Sequence, residues 1–169
     1  MGTTRKDPEP WRKLRETLAG RLTARAQGLL ASEFFLLDRE GTRIGRLDIH
    51  GSAGASLRAG DVEARIEREG RYGYAMLSSN GEILTSTGDP TSLEITSHNH
   101  PYEASLSLLR NRAEAGPAHK PTTVRIKGGL TNRNYEATFD PADDNSLPVA
   151  LILLYHLISL RRKAYVTGG

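Results

Sequence analysis

Ser146-Leu-Pro-Val-Ala-Leu-Ile-Leu-Leu-Tyr-His-Leu-Ile-Ser-Leu160, closed by Arg161-Arg162-Lys163, is the stretch whose surroundings decide the fold. Only His156 and Ser159 interrupt it, so a helix here is apolar on nearly every face and must be enclosed by protein or by lipid. A helix over residues 147–160 reaches about 21 Å at 1.5 Å per residue, short of the roughly 30 Å hydrocarbon core of a bilayer. The length predicts a buried core helix, with a tail-anchored membrane protein carrying a cytosolic β domain as the alternative. Ser146 offers a cap, Pro148 sits in the first turn, and Asp143 and Asp144 lie near the positive helix end.

The chain that precedes this run has the opposite character. From Glu33 the apolar period falls to two, and about ten short segments alternate at spacings of roughly 8–12 residues. Arg43-Ile-Gly-Arg-Leu-Asp-Ile-His50, with a bulge expected at Gly45, is one such segment, and Val62-Glu-Ala-Arg-Ile-Glu-Arg68 is another. Asn80-Gly81 joins two more, a strong hairpin signal. His98-Asn99-His100-Pro101 reads as a turn, and residues 110–120 as a polar loop. Short connections imply antiparallel pairing, and so many strands tend to curl and close. A closed antiparallel barrel needs its interior filled, and the all-apolar helix needs a complete jacket. The expected fold is therefore mainly β: a closed antiparallel barrel of about 10–12 strands enclosing the C-terminal helix.

Residues 1–32 are read as an N-terminal basic amphipathic helix, residues 33–163 as the barrel domain, and residues 164–169 as a tail. Asp7-Pro8 looks like a helix start. Trp11, Leu14, Leu18 and Leu22 follow at helical spacing, continued by Ala26 and by Leu29 or Leu30. This segment carries seven Lys/Arg against three Asp/Glu, although the whole chain of 169 residues has a net charge of only +3. The remaining 16 basic and 17 acidic residues nearly cancel. Basicity thus belongs to one segment, which argues against a nucleic-acid-binding domain, as does the sparse, uninterleaved aromatic content.

The opening Phe34-Phe-Leu-Leu-Asp-Arg-Glu-Gly41, the meander of hairpins and the final Leu147-Pro-Val-Ala-Leu-Ile-Leu-Leu154 resemble the tubby C-terminal-like superfamily. That group includes the LURP-one-related proteins and phospholipid scramblases. The resemblance covers about residues 33–163 and implies a twelve-stranded barrel around a central hydrophobic helix. Tubby proteins bind phosphoinositides and scramblases have membrane-linked roles. Neither the phosphoinositide-binding nor the calcium-binding motif of the group matches this sequence residue by residue, so those activities are not carried over.

Enzyme chemistry finds little footing. The chain has no cysteine, which removes disulfides, thiolate metal sites and cysteine nucleophiles, and suits a reducing cytoplasm. It has no Gly-x-Ser-x-Gly elbow, and Gly51-Ser-Ala-Gly54 and Lys127-Gly128-Gly129 match neither phosphate-loop pattern. His98 and His100 could share a metal in a strand, with His50 and His119 unplaced, but Pro101 favours a solvated turn. Asp140-Pro-Ala-Asp-Asp-Asn145 supplies oxygen ligands without EF-hand spacing and reads better as a helix start. His156 is expected to hydrogen-bond to the barrel wall, and Ser159 likewise. No catalytic residue, metal ligand or cofactor is assigned.

What remains is electrostatic. Arg12, Lys13, Arg15, Arg21 and Arg25 of the N-terminal segment, with Arg161, Arg162 and Lys163, are the candidates for contact with an anionic surface. If they share one face, they form a platform for anionic lipid or an acidic protein partner. The expected function is a non-enzymatic binding or scaffold module, cytoplasmic and peripheral at a membrane. A small-ligand barrel or an enzyme with an unrecognised site is the alternative, and it requires an open lumen.

Overall fold

Alternating inward residues along each strand, and an enclosed helix to pack them on, produce the architecture. The structure, a computed structural model, describes residues 9–167; the side chains of Ser52 and of residues 163–167, and the expected cap at Asp7-Pro8, lie outside that description. Helix α1 spans Glu9–Leu18. Twelve strands follow: β1 Arg21–Gln27, β2 Glu33–Leu37, β3 Arg43–Ile49, β4 Gly54–Ala59, β5 Val62–Glu69, β6 Gly73–Ser78, β7 Gly81–Asp89, β8 Ser92–Ser97, β9 His100–Ser107, β10 Arg112–Pro117, β11 Val124–Gly128 and β12 Asn134–Phe139. Helix α2, Ser146–Thr167, ends the fold. Every strand pairs antiparallel with its sequence neighbours, and β1 pairs with β12 to close the barrel. The expected bulge lies beside Gly45: Leu36 faces Gly45 and Leu37 faces Arg43, leaving Ile44 unpaired.

Residues Leu147 to Ile158 of α2 run through the lumen, and Val149 to Ile158 are each no more than 2% exposed. The helix lies nearest β10, β11 and β12. The wall there presents Ala113, Ala115 and Ala137 together with Val124, Ile126, Tyr135 and Phe139, while Leu47, Leu57, Tyr74 and Met76 are buried on the far side. Tyr74 stacks edge-on against Tyr155, with ring centroids 5.4 Å apart. An enclosed α2 removes the tail-anchored alternative for this helix. Among the described residues no helix is long and apolar enough to cross a membrane.

Two expected elements are corrected. Residues 21–27 are not the second half of a long helix but strand β1, so the boundary placed at residue 32 falls inside the barrel. Ala19 at φ 51° and Gly20 at φ 94° end α1 and turn the chain into the sheet. An added Cβ at Gly20 would meet the Phe139 carbonyl at 2.9 Å, so the turn is built on close backbone approach. The supposed polar loop at 110–120 contains β10, whose Ala113 and Ala115 face α2. Both strands alternate alanine with charged residues, a composition with weak β preference, and the closing ladder overrides it.

Candidate functional site

Because α2 fills the lumen, any site must lie on the barrel's ends or its outer face. The two ends differ. The end where α2 enters carries α1 and the connections β2–β3, β4–β5, β6–β7, β8–β9, β10–β11 and β12–α2. The end where α2 leaves carries the other loops.

The entry end is closed. Trp11, Leu14 and Leu18 are buried on one stripe of α1. Arg15, also buried, donates from Nε to the Pro141 carbonyl at 3.1 Å and pairs through Nη2 with Asp144 Oδ1 at 3.1 Å. Tyr102 donates its hydroxyl to the Asp143 carboxylate at 2.8 Å, and burial followed by that carboxylate holds its pKa above the usual phenol range. Ser97 donates to Asn145 Oδ1 at 3.0 Å. Ser146 does not act as a side-chain acceptor cap; its hydroxyl donates to the carbonyls of Asp140 (2.6 Å) and Asp143 (2.8 Å). His98 and Asn99, both at positive φ, form the β8–β9 turn.

The exit end is tied to α2 by side-chain bonds. Arg161 donates through Nε to Asn132 Oδ1 at 2.9 Å and through Nη1 to the Leu108 carbonyl at 2.5 Å. Asn111 donates through Nδ2 to the Gly129 carbonyl at 2.9 Å. A Cβ at Gly128 would lie 2.1 Å from that amide nitrogen, so any larger residue there would displace the Asn111 side chain from its bonds. These bonds tie the β9–β10 and β11–β12 loops to the end of α2. Burial pushes the Tyr135 phenol up, partly opposed by Asn111 and Arg161. Ala26 and Arg133 join the same assembly to β1, the Ala26 amide bonding the Arg133 carbonyl at 2.7 Å.

Deeper in the lumen His156 is held as expected, with Nε2 donating to the Pro90 carbonyl at 2.8 Å and Nδ1 facing Tyr74 Oη at 2.5 Å. A carbonyl only accepts, so Nε2 carries a proton, and in the neutral ring Tyr74 donates to Nδ1. Burial, opposed by the Arg68 charge, raises the Tyr74 pKa to about 12. Ser159 departs from expectation: its buried Oγ has no hydrogen-bond partner among the described residues.

The eight candidate basic residues are not brought together. Arg12 and Lys13 are exposed on α1 at the entry end, Lys13 3.7 Å from Glu9. Arg15 is a buried structural link, and Arg21 pairs with Glu136 at 2.7 Å on the outer face. Arg25 is exposed on β1 toward the exit end. Arg161 is the clamp just described, Arg162 is half-buried beside it, and the Lys163 side chain lies outside the described residues. About fifteen residues of helix, or ~22 Å, separate the Asp144 region from Arg161. A single platform uniting α1 with the C-terminal cluster is therefore not formed.

A different basic surface is present. Arg110 and Arg112 of the β9–β10 hairpin and Lys127 of β11 line an outer groove of about 470 Å³ that opens at the exit rim. All three are exposed, and none forms an ion pair among the described residues. The acidic groups in this groove are taken: Glu136 by Arg21, and Glu114 by Arg125 at 3.9 Å. On the opposite wall a larger groove of about 890 Å³ holds Arg46, Arg58 and Arg65, but these pair with Glu33 and Asp48, Glu63 and Glu67. Among the described residues, the large apolar side chains left exposed are Leu29 (99%), Leu30 (83%), Leu109 (94%) and Leu130 (96%). All four stand in exit-end loops. The sequence held a signal for them: a leucine inside Gly28-Leu-Leu-Ala-Ser32 or Gly129-Leu-Thr-Asn132 has turn residues around it and no strand face on which to be buried.

No protein-family model matches this chain, and no curated protein does either. Among solved structures, the X-ray structure of a protein from Arabidopsis thaliana is similar to it, with a TM-score of 0.58 at 8% sequence identity, covering 85% of this chain and 93% of that one. At that identity the likeness concerns the fold.

Proposed function

We propose that this chain is a non-enzymatic binding module of the tubby-like, LURP-one-related type, cytoplasmic, that associates peripherally with an anionic membrane surface. The enclosed helix leaves the lumen no room for a small ligand, which turns the search to the outside. The observation that carries the reading is the charge arrangement at the exit end. Arg25, Arg110, Arg112 and Lys127 are exposed there, while the acidic neighbours Glu114 and Glu136 are already paired. Each cation near an anionic leaflet is worth about 1 kcal/mol, so four contribute about 4 kcal/mol, a weak and salt-sensitive attraction. The reading replaces the α1-centred platform with a surface drawn from β1, the β9–β10 loop, β10 and β11.

Co-sedimentation with phosphatidylserine-containing vesicles tests it. Binding that is absent on phosphatidylcholine alone, falls as salt rises, and drops for Arg110→Glu with Arg112→Glu and Lys127→Glu supports the proposal. Equal partition to neutral and anionic vesicles, or none to either, would sink it.

A further inference from the structure

The four exposed leucines are placed by topology. The loops β1–β2, β11–β12 and β9–β10 join strands that neighbour one another around the barrel, in the order β2-β1-β12-β11-β10-β9. Leu29 and Leu30, Leu130 and Leu109 therefore occupy one continuous sector of the exit rim. A sector that exposes apolar side chains at three consecutive loop tips is a marked surface, because isolated exposed leucines are common and clustered ones mark contacts. The tips are also held in place. Arg161 bonds Leu108 and Asn132, the neighbours of two of these tips, and Asn111 bonds Gly129. A loop fixed in this way keeps its leucine in water at a steady cost and loses little freedom when it is covered.

Charge selects the occupant. The three loops, residues 28–32, 108–111 and 129–133, contain no Asp or Glu but include Arg110 and Arg133, with Arg112, Lys127 and Arg162 just behind them. Apolar tips ahead of a ring of cations match a lipid interface, where acyl chains lie beneath a layer of phosphates. A second copy of the chain fits less well, because a two-fold contact would set this basic sector against itself.

We infer that Leu29, Leu30, Leu109 and Leu130 enter the acyl boundary of an anionic bilayer, so that the barrel stands on the membrane by its α2 exit end. This rests on the membrane reading above and adds to it depth and orientation. The chain then binds in two layers: cations that salt screens, and leucines that it does not.

The test uses the full chain and vesicles of phosphatidylserine in phosphatidylcholine. Wild-type binding is expected to keep a salt-resistant part. Leu109→Ser with Leu130→Ser should weaken partition about a hundredfold, about tenfold per leucine, and reduce that part to what Leu29 and Leu30 alone sustain. Leu109→Phe with Leu130→Phe should preserve it, and all variants should melt with the wild type. If the serine variant partitions as tightly as the wild type at every salt concentration, insertion is wrong while the electrostatic reading survives. If the wild type binds no vesicle at all, the membrane reading itself fails, and the insertion with it.

Discussion

At the entry end Trp11, Leu14 and Leu18 turn inward on one helical stripe and Arg15 is buried against Pro141 and Asp144. At the exit end Leu29, Leu30, Leu109 and Leu130 stand in solvent and Arg110, Arg112 and Lys127 have no acidic partner among the described residues. Both ends use leucine and arginine, so composition does not separate them. What differs is the element that carries each residue. A helix long enough to have a face can lay it on the barrel mouth. A loop of four or five residues has no face, and a leucine at its tip is covered only by something from outside. The acid distribution follows the same division: Asp143 and Asp144 satisfy Tyr102 and Arg15 at entry, whereas the three leucine-bearing loops contain no acid.

The change with the largest expected effect would destroy both ends at once. Leu153 is fully enclosed between them, and Leu153→Asp buries an unpaired charge, costing about 5 kcal/mol or more, which matches the whole stability of a domain at the low end of the usual range of about 5–15 kcal/mol. Urea denaturation should find little folded protein; an unchanged midpoint would mean that α2 is not the core. Next, Arg15→Ala should cost about 1–3 kcal/mol by removing a buried, multiply bonded link, while Arg112→Ala on the exit side stays within about 0.5 kcal/mol. Similar losses at both sites would erase the distinction between the ends.

Tyr74→Phe should cost about 1–2 kcal/mol, since it removes the partner of His156 Nδ1 inside the lumen. It also alters the alkaline response. Tyr74 titrates near 10 when unfolded and at about 12 in the fold, so the native state holds the proton more tightly across that interval. Stability from this group is complete below pH ~10 and is lost as pH rises toward ~12. Thermal melts across that range should fall less steeply for Tyr74→Phe than for the wild type. Tyr102 and Tyr135, also shifted upward, keep some slope in both. The smallest effect is expected for Leu130→Ser, within about 0.5 kcal/mol, because its side chain makes no burial to lose. A clear destabilisation would show that this leucine is covered in the free protein.

Much of the fold was legible because two periods speak plainly. Ten strands announced themselves by alternation, and residues 147–160 by an unbroken apolar surface that only a jacket could satisfy. His156 could be placed at the wall from its isolation in that surface alone. The strands that escaped, β1 and β10, are Arg-Leu-Thr-Ala-Arg-Ala-Gln and Arg-Ala-Glu-Ala-Gly-Pro. In β10 the inward residues Ala113 and Ala115 are small where α2 passes close, and in β1 only Leu22 and Ala24 are buried, so neither strand offers the run of large alternating side chains that signals β. In β1 the Leu14, Leu18, Leu22 spacing continued the helical stripe across Gly20, where the chain in fact turns. The candidate site was less legible still. Reading basicity by segment pointed to α1, but a barrel assembles its rim from loops distant in sequence. Arg110, Lys127 and Leu29 come to share one sector of the barrel only through strand order.

The most direct test compares the two ends in one experiment. The chain has no cysteine, so Leu130→Cys at the exit rim and Asn80→Cys in the entry-end β6–β7 turn can each carry one environment-sensitive fluorophore. With phosphatidylserine vesicles, the dye at position 130 should shift to the blue and be quenched by brominated acyl chains, while the dye at position 80 should do neither. Equal responses at the two positions, or a response at position 80 alone, would contradict a barrel that meets the membrane by the end from which its helix emerges.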